Sequence, residues 1–230
     1  MFRRHKTFNI LYLLILLLNV YALSVQNQLL KMVAMPLIGT SLMFYLILKT
    51  KIEDAFQKLI FIGVVFSLAG DVQSLFTTGS QFYFLTALLA TLASYLFYSA
   101  AFYLDFSRSA SKPKRIGNIF LFILFVVNVV FFITADRNLG EFKVPVMAYL
   151  SMMALMVALS GYRYKRVNQI SFKLIFTGSF AFVISDLCIG FYMFIEEQDI
   201  MMMCYLLTYL VALYLVVMGT IVRKLIRNAS

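Results

Sequence analysis

The chain has 230 residues, a formal net charge of +10, 63% apolar residues and 13% charged ones. A water-soluble domain of this length does not carry so few charges, so composition places the chain in a membrane. The positive balance is spread along the sequence rather than gathered on one face, which excludes a nucleic-acid surface.

The first apolar stretch, 8–25, follows the basic start MFRRHK. It is longer than the core of a signal peptide and YALSVQ is a weak cleavage context, so it reads as a retained helix. Next come 32–49, with Pro36 near its start, and 57–77, which holds Asp71. After 82–104 the polar run DFSRSASKPKR, 105–115, reads as a solvated linker. The second half repeats the pattern in 116–134, in 142–160 with Pro145 near its start, in 171–195 with Asp186, and in 201–223. Each stretch approaches or exceeds the roughly 20 helical residues that span a bilayer core. The expectation is an all-α membrane protein of eight transmembrane helices, forming a single domain over 1–230.

Charge sets the expected orientation. With the N-terminus inside, 17 of the 20 Lys and Arg residues fall in cytoplasmic segments, and Lys31, Arg137 and Lys143 fall outside. That asymmetry puts both termini in the cytoplasm, as expected for a multi-pass protein of a bacterial inner membrane. Pro36 with Pro145, Asp71 with Asp186, and Tyr98 with Tyr209 suggest a parallel repeat of 1–104 and 116–223, an arrangement that often holds a site at its interface.

Asp71 lies in FIGVVFSLAGDVQSLF and Asp186 in LIFTGSFAFVISDLCIGF. A carboxylate inside a bilayer costs at least a few kcal/mol, about 2.5 on the gentlest scale, so an intramembrane acid marks a functional site by default. Both aspartates fall in the outer half of helices that run the same way. Two buried carboxylates in one pocket can share a proton, which suits acid-base chemistry. Ser67, Asp71 and Ser74 share a helix face by spacing, Ser185 abuts Asp186, and Gly70 and Gly178 admit a neighbouring helix. Tyr95, Tyr98, Tyr149 and Tyr209 lie deep enough that their hydroxyls need partners.

Other chemistries find little support. The single histidine, His5, sits in the N-terminal tail, so no Ser-His-Asp or Cys-His set can form in the membrane. Cys188 and Cys204 lack metal-ligand spacing and read as small apolar fillers, as do the methionines at 152–153 and 201–203. No metal and no cofactor are expected.

The segments SLAGDVQSLF (67–76), SYLFYSAAF (94–102), VPVMAYLSMM (144–153), GSFAFVISD (178–186) and LLTYLVALYL (206–215) resemble, in order and spacing, the YhhN-like lysoplasmalogenases. The resemblance runs from Pro36 to about Leu215. It implies an eight-helix membrane hydrolase that cleaves the vinyl ether bond of a lysophospholipid to a fatty aldehyde and a glycerophospho-head group. Asp71 and Asp186 would be its acid-base pair. Three positions depart from the family's pattern: Met35 where many members have lysine, Tyr95 where many have histidine, and Leu213 where many have glutamine. The expected partners are a lysophospholipid substrate and the bilayer. The competing reading is a non-catalytic lipid-binding or proton-coupled transport protein.

Overall fold

The computed structural model describes residues 5–76, 80–108 and 113–226. Within them lie eight α-helices: α1 Lys6–Ser24, α2 Gln28–Thr50, α3 Ala55–Ser74, α4 Gln81–Ser107, α5 Arg115–Leu139, α6 Lys143–Tyr162, α7 Gln169–Phe194 and α8 Asp199–Ile221. Local chemistry sets several of their ends. The Asn27 side chain accepts from Leu30 N–H to start α2, and Asp54 with Gln57 forms a capping box at α3. Lys51, in the left-handed region at φ 53°, stops α2.

Counted as unbroken helical runs, seven are long and apolar enough to cross a membrane, because Arg115–Tyr162 makes one run of 48 residues. A straight helix of that length would measure about 72 Å, more than twice a bilayer core. The run instead folds back through the turn Gly140–Phe142, where Gly140 takes φ +49°. α5 and α6 then lie side by side, and Asn128 Nδ2 donates to the Leu150 carbonyl at 3.0 Å.

Two glycines close the far end of this hairpin. A Cβ on Gly161 would lie 3.0 Å from the Gly117 Cα, and one on Gly117 would lie 2.2 Å from the Tyr162 ring and 2.5 Å from the Ala158 carbonyl oxygen. Gly117→Ala is therefore expected to destabilise the fold by about 1–3 kcal/mol, the usual range for overpacking. Thermal unfolding in detergent would measure it, and an unchanged midpoint would refute the close packing. The approach expected at Gly70 and Gly178 is also present: their Cβ atoms would meet Thr91 Oγ1 at 2.8 Å and the Ala212 carbonyl at 3.0 Å.

The exterior is apolar. Phe122 and Ile133 of α5 are 69% and 71% exposed, as residues facing lipid rather than water would be.

At the end where α2, α4, α6 and α8 finish, charge is buried. Asp105 receives Arg163 Nε at 2.9 Å and Arg223 Nη2 at 2.5 Å, and Arg223 Nη1 reaches Asp54 at 2.6 Å. Arg163 Nη2 donates to Ser171 Oγ at 3.1 Å, which donates in turn to the Gly219 carbonyl at 2.8 Å. The Arg223 guanidinium also stands 4.1 Å from the Phe56 ring centre. Burial alone would raise the Asp54 carboxyl, but the hydrogen bond and charge of Arg223 hold it below the ordinary carboxylate range. A depressed carboxylate stabilises the fold above its unfolded pKa, roughly 3.9, and loses that contribution as pH falls through its folded value. Wild type should therefore lose unfolding midpoint below pH 4 more steeply than Asp54→Asn; parallel acid curves would exclude the effect.

Several sequence expectations need correction. α4 runs to Ser107, so Asp105 is a buried residue of its last turn rather than the start of a solvated linker; residues 109–112 of that linker lie outside the described residues. Arg163 and Arg166, counted in the sequence only toward the charge asymmetry, are buried, and Arg223 nearly so. His5 is no loose tail residue, because its ring is buried and bonded to the Tyr45 hydroxyl. α2 starts at Gln28, which puts Pro36 two turns inside it instead of near its start. α3 ends at Ser74 rather than at 77, so Asp71 lies three residues, about 4.5 Å, from its end. A polar residue that finds a partner can belong to the buried interior, which hydropathy along the chain does not reveal.

Candidate active site

At the opposite end of the bundle, the ends of α1, α3, α5 and α7 and the starts of α2, α4, α6 and α8 surround a cavity of about 420 Å³. Asp71 and Asp186 both line it, at 5% and 7% exposure. The helix pairs that carry them, α3 with α4 and α7 with α8, pack closely at the small residues Gly70 and Gly178.

The two acids have different surroundings. Asp186 Oδ2 accepts from the Tyr95 hydroxyl at 2.7 Å, and the Tyr149 hydroxyl is within reach of the same carboxylate. Tyr149 and Tyr95 are themselves linked, at 3.4 Å. Asp71 has the Tyr209 hydroxyl within hydrogen-bonding reach. Its Oδ2 is buried without a partner. A buried carboxylate oxygen with no donor is expensive, and here it belongs to a residue that faces the cavity.

The Phe182 ring contacts Tyr95, Tyr98 and Tyr209, with centroids 5.5, 6.0 and 5.9 Å away. It fills the space behind the acids and leaves the hydroxyls as the polar features there.

The candidate residues therefore divide. Asp71, Asp186, Ser74, Tyr149 and Tyr209 line the cavity. Tyr95 lies behind Asp186 and reaches the site through that carboxylate. Ser67 and Tyr98 do not line it: Ser67 Oγ pairs with Ser94 at 2.7 Å and with the Tyr98 hydroxyl at 3.2 Å, all buried. Ser185 donates to the Tyr205 carbonyl at 3.3 Å and ties α7 to α8. Ser74 donates to the Asp71 backbone carbonyl at 2.7 Å and stands 3.9 Å from Met35 Sδ.

Tyr205 and Lys31 are among the lining residues that escaped the sequence reading. Tyr205 is one helical turn before Tyr209, and the two rings stack 5.9 Å apart; the spacing of four could have found it. Lys31 lines the cavity at its outer end, one turn before Met35, but in the sequence it counted simply as a charge outside the membrane. Among the described residues no group of three or more His, Cys, Asp or Glu side chains could hold a metal ion.

The arrangement offers two carboxylates in one half-open, mostly apolar chamber, one held by hydroxyl donors and one with an oxygen to spare. Such a chamber suits proton transfer to and from a bound molecule with an apolar body. No curated protein and no solved structure matches the chain. The model of the YhhN family matches residues 5–220, nearly the whole chain, and the protein is therefore a member of the YhhN family.

Proposed function

We propose that the protein hydrolyses the vinyl ether bond of lysoplasmalogen-type lysophospholipids, with Asp71 and Asp186 as a metal-free acid-base pair. The observation that carries this reading is the two buried acids on one cavity, Asp71 with an unpartnered oxygen. Family membership supports it, as does the resemblance of the motifs around both acids.

The roles follow from hydrogen-bond supply. An ionised carboxylate is acceptor-only and matches the donors around Asp186; a protonated one has an O–H to give. Asp71, as the acid, delivers its proton to the alkene carbon remote from the ether oxygen, leaving an oxocarbenium-like ion. Asp186 stabilises that cation and takes a proton as water adds to the adjacent carbon. The hemiacetal then collapses: Asp186 returns its proton to the glycerol oxygen, and the hemiacetal hydroxyl reprotonates Asp71. One vinyl ether and one water give one aldehyde and one alcohol, and both acids are reset.

Two of the three positions that depart from the family's pattern bear on the site. Tyr95 keeps a polar group against Asp186, Met35 lines the cavity, and Leu213 is buried in the core. We read the α5–α6 hairpin as two crossings, giving eight in all with both termini cytoplasmic. We also read the halves 1–104 and 116–223 as a parallel repeat around the cavity, because α4 packs on α6 as α8 packs on α2. The transport reading is less well supported, since the end opposite the cavity is filled by the Asp105, Arg163 and Arg223 cluster.

The test is aldehyde release from a lysoplasmalogen by purified protein in detergent, beside Asp71→Asn and Asp186→Asn. Release by wild type and silence from both folded variants is the expected result. Silence from wild type across several head groups would end the hydrolase reading.

A further inference from the structure

We infer that Lys31 is the anion anchor of the cavity, holding the phosphate of a lipid head group while the apolar chain points toward Asp71 and Asp186. The inference deepens the hydrolase reading and rests on it for the lipid's identity. Four observations carry it.

Lys31 is the single cation among the described residues that line the cavity. Its ammonium takes part in none of the ion pairs among the described residues. Its Nζ instead donates to Gln26 Oε1, a neutral acceptor, at 2.6 Å. Gln26 has a left-handed backbone, φ 55°, in the turn before α2, a conformation that costs a non-glycine residue about 1 kcal/mol or more. The hydrogen bond orients Lys31 without neutralising it.

Position is the third observation. Lys31 is in the first turn of α2, where unpaired backbone N–H groups add positive partial charge. Met35 is one turn further in and touches Ser74, and Asp71 is one turn below Ser74 on α3. Along the helix axes Lys31 and Asp71 are then about 10 Å apart, seven residues' rise. A lysine reaching inward and a carboxylate reaching outward can bracket the five bonds that join an ether oxygen to phosphorus in a glycerophospholipid. The fourth is the unpartnered Asp71 Oδ2, an independent sign that a polar ligand atom belongs at the inner end.

Asp199 also lines the cavity. It lies in the first turn of α8, whose positive end stabilises it there, and no ion pair among the described residues joins it to Lys31.

A saturated 1-O-alkyl lysophosphoethanolamine, which has no vinyl group to protonate, separates binding from hydrolysis. Its Kd for protein in detergent, by calorimetry, is expected to rise about tenfold in Lys31→Gln, the scale of one charged hydrogen bond. A 1-O-alkylglycerol, which lacks the phosphate, should bind both proteins equally. Lys31→Arg should keep wild-type affinity, and Lys31→Gln with Met35→Lys, which moves the cation one turn inward, should recover part of it. Equal weakening of both lipids, or of neither, would overturn the anchor. Inorganic phosphate binding as tightly as the lipid, and lost in Lys31→Gln, would overturn the lipid as its source. Because no step needs turnover, wild type that releases no aldehyde but shows this binding pattern would sink the hydrolase reading and leave the anchor standing.

Discussion

Asp71→Asn and Asp186→Asn are each expected to slow aldehyde release by about 10²–10⁴-fold, the range that a positioned acid or base supplies, with little change in folding. Asparagine keeps the volume of aspartate, so the cavity is not reshaped. Each change removes a proton carrier of the proposed cycle, and the two should not add in the double variant, because that cycle uses both acids. Their failures should also differ. In Asp71→Asn no acid can reach the alkene carbon, so substrate binds and persists. In Asp186→Asn the hydroxyls of Tyr95 and Tyr149 face an amide that offers one acceptor where the carboxylate offered two. Tyr95→Phe in that background should then cost little more, whereas Tyr95→Phe alone should slow the wild type. Steady-state rates on the wild type and these five variants decide the matter; independent, additive losses would contradict a shared cycle.

Asp105→Ala is expected to be the most damaging single change away from the cavity, costing about 3–5 kcal/mol. It leaves the Arg163 guanidinium, wholly buried, without its carboxylate, and removes one of two acids bonded to Arg223. Arg163 already has one buried nitrogen, Nη1, with no partner. Asp105→Asn should be milder only in packing, since the charge imbalance is the same. The combined change Asp105→Leu with Arg163→Met removes both members of a pair and should recover part of the loss, because two apolar side chains need no partners. Unfolding in detergent provides the ranking. A single variant as stable as wild type would mean that water reaches the cluster.

The two aspartates were legible in the sequence because a carboxylate in an apolar run is too costly to be incidental. Tyr149 and Tyr209 were legible as hydroxyls deep enough to need partners, and Ser74 by its spacing on the face of Asp71. What the sequence could not separate was a hydroxyl that faces the cavity from one satisfied behind it. Ser67 and Tyr98 satisfy each other, and Ser185 satisfies a carbonyl of α8; helical spacing gives a face, not its neighbour. The buried cluster escaped for a related reason. Asp105, Arg163 and Arg223 are 58 and 118 positions apart in their bonded pairs, so each looked like an ordinary boundary charge until the fold supplied the other two. Lys31 escaped because a topology count takes account of a lysine's side of the membrane and not of what lies beside it.

The same cluster places a condition on assembly. Its members come from the start of α3, the end of α4, the residue after α6 and the segment after α8. A chain entering the membrane from its N-terminus brings Asp54 and Asp105 long before either arginine that will neutralise them. Until Arg163 follows α6 both acids are unpaired, and Asp54 stays so until Arg223 follows α8, at the water-facing margin where a carboxylate remains hydrated. Closure of that end is thus the last event of folding, and a chain that has not completed its final helix cannot lock.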